Sequence, residues 1–316
     1  MAGRANRYGL SRDIPAEVAR AVRARCGFGC VVCGCAIYTY EHVDPPFAEA
    51  REHDENRIVL LCGGCHDRVT RGWLSKESVT VAASTPKARE KGFSFGPFDF
   101  GGTHPDVFAG TFRAIETRVI IRVFGDPILQ VAPSEDEGGP FRLSALLQDS
   151  HGTEILRIVD NEWRAPVENW DVEISGPRII IRRGPGDITL RLRAEVRSAL
   201  VIERLRMFYR GAEILCEEGR IFRVRSPDGP WFEAGDVTAA RCAVGLDVTR
   251  TGILIGTGGS LYLGSARGGS GMSQPSYSDP MRQPSSQRQV VTKGRDRNKA
   301  CHCGSGLKYK KCHGRG

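Results

Sequence analysis

The chain has 316 residues, enough for one large domain or about two smaller ones. Its hydrophobic fraction of 40% and charged fraction of 26% are ordinary for a globular protein, and apolar runs such as 58–61 are far too short to span a bilayer, which excludes a helical membrane protein. The net charge of +8 belongs to the end of the chain: over residues 266–316, eleven Lys/Arg stand against two Asp, so this tail is expected to be drawn to nucleic acid or another polyanion.

Arg4, Arg7 and Arg12 lie near the start with no apolar stretch behind them, so no secretory signal is read and a cytoplasmic location is expected. Asp13-Ile-Pro-Ala-Glu predicts a helix capped by Asp13 or Ser11, with Pro15 in its first turn and Gly27 at its end. A strand is expected over about 36–42, stopped by Asp44-Pro45-Pro46. A second short helix should start at about Cys62 or Cys65 and run to Arg71, with Gly72 closing it. From about 110 to 265 the sequence alternates apolar and polar residues in short runs, as in Arg118-Val-Ile-Ile-Arg-Val and Ile188-Thr-Leu-Arg-Leu-Arg, punctuated by Gly-Pro and Gly-Asp turns. This predicts a β-rich sandwich or β-solenoid. Residues 268–298, rich in Ser, Gly, Gln, Pro and Arg, have little with which to build a core and read as a disordered linker.

The chain has eleven cysteines, most of them in two clusters, which points to metal binding rather than disulfides. Cys216 and Cys242 are isolated in apolar sequence and read as small core residues. Cys30-x-x-Cys33 and Cys62-x-x-Cys65 form two knuckles 28 residues apart, and four thiolates close a tetrahedral Zn²⁺ shell with no open position, a structural site. Cys26 and Cys35 are alternative ligands. On a helix, Cys62 and Cys65 share a face while His66 is turned by ~100° from Cys65, so one helix can serve two metal sites.

The knuckles, Glu41-His42-Val-Asp-Pro-Pro, Asn56 and Leu61-Cys-Gly-Gly-Cys-His66 together resemble an HNH endonuclease of the ββα-metal class over about residues 14–75. The resemblance implies a metal-dependent nuclease in which His42 is the general base and His66 binds Mg²⁺ or another catalytic divalent ion, with Glu41 as a second ligand. Asp44 is the same-face alternative to Glu41, because neighbours on a regular strand face opposite sides. The family's middle Asn falls here on Arg57. Either Asn56 recovers the place through a one-residue bulge or His53 fills it.

Cys301-His-Cys303, followed by Cys312-His313, resembles the SEC-C zinc-binding motif, which implies a second structural Zn²⁺ held by Cys301, Cys303, Cys312 and His313 and an adaptor that captures a protein partner. The expected fold class is therefore α+β. A zinc-stabilised ββα-metal HNH domain (1–90) is followed by an all-β domain (91–265), a disordered basic linker (266–298) and a short zinc module (299–316). The expected activity is hydrolysis of DNA phosphodiester bonds, with RNA left open as a substrate, in a setting such as restriction or defence. The alternative is a catalytically inactive zinc-dependent adaptor for nucleic acid or protein.

Overall fold

Strand content dominates because alternating side chains recur through most of the chain. The computed structural model describes residues 5–137 and 139–263. Pro15, with its fixed φ and no N–H to leave unpaired, opens α1 (Ala16–Arg25) without any side-chain cap. Ser11 instead accepts from the Asp13 amide, so neither expected capping residue serves. β1 (Tyr38–His42) and β2 (Ile58–Cys62) pair antiparallel, Tyr38 opposite Cys62 and His42 opposite Ile58. β2 runs directly into α2 (Gly63–Thr70), which ends at Arg71 and left-handed Gly72. α3 (Lys76–Ser84), capped by the Ser75 hydroxyl on the Ser78 amide, and α4 (Lys87–Lys91) complete the helices among the described residues.

The remainder is strand: β3 (Phe93–Pro97), β4 (Asp106–Ala109), β5 (Phe112–Ile115), β6 (Val119–Val123), β7 (Asp126–Ala132), β8 (Arg142–Gln148), β9 (Glu154–Val159), β10 (Glu162–Pro166), β11 (Asp171–Ser175), β12 (Arg178–Gly184), β13 (Asp187–Glu195), β14 (Ala199–Tyr209), β15 (Ala212–Glu217), β16 (Phe222–Arg225), β17 (Trp231–Ala234), β18 (Val237–Ala240), β19 (Val244–Val248), β20 (Ile253–Thr257) and β21 (Ser260–Leu263). One sheet has the order β20-β19-β6-β7-β8-β9-β10-β3. A second runs β11-β12-β13-β14-β4-β5-β18-β21, with β15, β16 and β17 branching from β14. Inward side chains of both, such as Leu143 and Leu147 from the first and Leu190 and Leu205 from the second, share one apolar core.

This architecture corrects the expected α+β class. The chain is mostly β, and no ββα-metal HNH fold is evident as a domain within it. The N-terminal residues have a small cluster of their own around Val22, Ile58 and Leu60, but they also lean on the β-sheets. Phe28 and Ala36 belong to the main core, Cys35 bridges to Phe95 on β3, and buried Arg23 bonds Asp171 on β11. The physical reason is size: a segment this short buries too little apolar surface by itself and completes its core against its neighbours. The expected linker and C-terminal zinc module lie outside the described residues. None of the helices described is long and apolar enough to cross a membrane.

Candidate metal centre and histidine cleft

The first knuckle is a tight turn. The Gly34 amide donates to the Cys30 carbonyl at 2.8 Å, and Gly34 itself has φ +87°, a conformation that a β-carbon would strain. The second knuckle crosses from β2 into α2, where the Cys65 amide donates to Cys62 Sγ at 3.4 Å. The β1–β2 pairing and α2 thereby bring Cys30, Cys33, Cys62 and Cys65 together, with their sulfurs all within 4.8 Å of one another and Cys33 and Cys62 3.6 Å apart. Tetrahedral thiolates about 2.3 Å from a zinc ion would stand about 3.8 Å apart, so the set fits such an ion. Four cysteines in this arrangement can bind a metal such as zinc.

The hydrogen bond from Cys33 pulls Cys30 down to about 5 and, in return, raises Cys33. Burial pushes Cys65 up to about 12. Cys26 is wholly buried, and its thiol is raised by that burial; Cys35 turns to the Ile37 carbonyl at 3.9 Å. Neither belongs to the four-sulfur group.

The far end of the β1–β2 pair carries the histidines. Four residue steps along β1 separate Tyr38, beside Cys62, from His42, a distance of about 13 Å. His66 Nε2 lies 3.4 Å from Glu41 Oε2, both side chains being partly exposed. His42 is buried and takes a different partner. Its Nε2 is 3.2 Å from His53 Nδ1, and His53 Nε2 is 3.0 Å from the Ser11 carbonyl. A carbonyl only accepts, so His53 Nε2 carries a proton and a neutral His53 accepts at Nδ1. His42 must then donate from Nε2, which leaves its Nδ1 lone pair unused, and among the described residues no hydrogen bond engages that atom. Burial, then the neighbouring His53, lowers the His42 pKa, which keeps the ring neutral near pH 7.

Glu41 and His42 both line a cavity of about 530 Å³ with Arg12, Asp13 and Phe47. The Phe47 ring packs 5.3 Å from that of His42, and the Arg12 guanidinium lies over Phe47 at 4.6 Å. Other predicted residues are placed elsewhere. Asn56 bonds Asp54 through both its amide and its side chain in a local turn, and Asp44 is exposed beside Arg57. It is His53, not Asn56, that reaches His42. Among the described residues no hydrogen bond joins His42 to His66, so the two imidazoles serve separate pairs. Arg12 and Phe47 were not singled out for this cleft by sequence reading: Phe47 follows a Pro-Pro turn and Arg12 sits among other N-terminal arginines, with no local pattern linking them.

Comparison with protein-family models matches the SEC-C motif over residues 297–315, which spans Cys301, Cys303, Cys312 and His313 and is a zinc-associated motif; no HNH domain is matched. No curated protein and no solved structure matches the chain.

Proposed function

We propose that the N-terminal part of this protein is an HNH-type, metal-dependent endonuclease acting on DNA phosphodiester bonds. The observation that supports it most is the pairing of Glu41 with His66 beside a buried, neutral His42 whose Nδ1 is left free by the relay to His53 and Ser11. Glu41 and His66 would hold Mg²⁺ or a similar divalent ion, which when bound supplies Lewis-acid stabilisation of the scissile phosphate and leaving oxygen. His42 Nδ1 takes the proton of the attacking water, while His53 fixes the ring and its tautomer. The cavity beside them admits the phosphodiester, and Zn²⁺ in the four cysteines holds β1, β2 and α2 in place. DNA rather than RNA rests on the family resemblance. A role in restriction or defence against foreign DNA suits a nuclease joined to a second, β-rich part.

The SEC-C match favours a second reading, in which Zn²⁺ at Cys301, Cys303, Cys312 and His313 makes the chain an adaptor for a protein partner and the N-terminal histidines are silent. Supercoiled plasmid separates the two. With Mg²⁺ or Mn²⁺ the full chain is expected to nick or linearise it, and His42→Ala is expected to lower the rate by 10²-fold or more, in line with loss of a general base, at unchanged zinc content. Retained DNA binding without nicking by the wild-type chain would leave only the adaptor.

A further inference from the structure

The outward face of β13–β17 carries more guanidinium than its carboxylates neutralise. Arg204, Arg206, Arg220 and Arg223 line a groove of about 620 Å³ with only Glu217 and Glu233 as acids. Two of the pairings are loose, Arg204 to Glu217 at 3.9 Å and Arg206 to Asp187, outside the groove lining, at 3.8 Å; Arg220 shares Glu217 at 3.4 Å. Arg191, just outside the groove lining, stands directly across from Arg204 in the β13–β14 register and has no ion pair among the described residues. Like charges directly opposite on a sheet repel, and Glu217, 3.9 Å from Arg204 and shared with Arg220, only partly offsets this pair. The Nε atoms of Arg191 and Arg223 are buried without a hydrogen-bond acceptor, although Glu233 Oε1 is 3.0 Å from the latter in poor alignment. At the edge, Trp231 sits 4.9 Å from both Arg223 and Arg225, an aromatic ring beside the charged track.

We propose that this groove binds the phosphate backbone of a nucleic-acid strand, with Arg191 and Arg204 sharing one phosphate and Arg206, Arg220 and Arg223 contacting its neighbours. Guanidinium forks match phosphate oxygens in pairs, and a positive groove with an aromatic edge is the chemistry that tracks a single strand. The choice of nucleic acid as the anion rests on the nuclease reading; the anion site itself does not.

The test is fluorescence anisotropy of a labelled single-stranded oligonucleotide with the zinc-loaded full chain over a range of salt, without Mg²⁺ or Mn²⁺ so that no cleavage intervenes and without a chelator so that the zinc is kept. Arg191→Gln/Arg204→Gln is expected to weaken binding by about tenfold or more and to lower the log–log salt slope by about 1. Arg157→Gln, on the other sheet, should change neither. The basic tail contributes equally to every variant, so the difference reads the groove. Should the double variant fail to fold, Arg206→Gln, whose side chain is 51% exposed, serves in its place with a smaller loss expected. Unchanged affinity and slope in a folded variant would overturn the proposal, as would competition by a mononucleotide at the oligonucleotide's own concentration. Arginine-dependent binding in a chain that never cleaves would sink the nuclease while leaving the groove, and cleavage with no arginine dependence would do the reverse.

Discussion

His104 shows how one ring couples the fold to pH. It is half-buried, its Nδ1 donates to the Pro105 carbonyl at 3.0 Å, and its Nε2 is buried with no partner among the described residues. Protonation would place an unpaired N–H⁺ there, and burial accordingly lowers its pKa below the ordinary 6.5. Between the folded and unfolded values the unfolded chain binds more protons, so stability is full above about pH 6.5 and falls as the pH drops below it. Urea denaturation at pH 8 and pH 5 should show that loss, and His104→Gln should reduce it. Among the cysteines, Cys65→Ser is expected to remove one zinc per chain by elemental analysis, with the wild-type count as reference; an unchanged count would exclude the four-sulfur site.

At the scale of elements, local signals were readable and distant ones were not. CxxC spacing announces a knuckle within four residues, and the alternation in 118–123 and 188–193 became β6 and β13. The helix over 63–70 is legible between its cysteines and Gly72, whereas α3 has only the Ser75 cap as a local sign. The expected α+β class failed because periodicity says nothing of how a small segment finishes its core. His53 was only one of two options, since an 11-residue contact across a loop leaves no periodic trace. The register of β3 with β10 also depends on a distant partner. Gly96 faces Trp163, and a β-carbon there would meet the indole at 2.8 Å. Gly96→Val is expected to cost about 1–3 kcal/mol by overpacking, read as a lower urea midpoint at unchanged slope.

Across the molecule, one buried bond ties the histidine-bearing strand to the β-sheets. Arg23, 8% exposed, gives Asp171, 2% exposed, two hydrogen bonds of 2.8–2.9 Å, and its remaining arm reaches the Tyr40 hydroxyl on β1, next to Glu41. Burial works against the Arg23 charge, but Asp171 and Tyr40 outweigh it and raise its pKa. The 148-residue separation of the partners makes this tie invisible in the sequence. Asp171→Asn keeps the shape but leaves Arg23 and Arg182 short of their counter-charge, and is expected to cost about 3–5 kcal/mol in denaturant unfolding. An effect under about 1 kcal/mol, the range of exposed pairs, would show the tie to be incidental.

The division of labour between the histidine pairs is tested most directly by titrating Mn²⁺ calorimetrically into the zinc-loaded full chain. The wild type and His42→Ala are expected to bind one Mn²⁺ with similar affinity, because His42 supplies a base and no ligand. Glu41→Gln and His66→Ala are each expected to lose that binding. Equal Mn²⁺ binding by all four proteins, or its loss in His42→Ala alone, would contradict the assignment of Glu41 and His66 to the ion and of His42 to the proton.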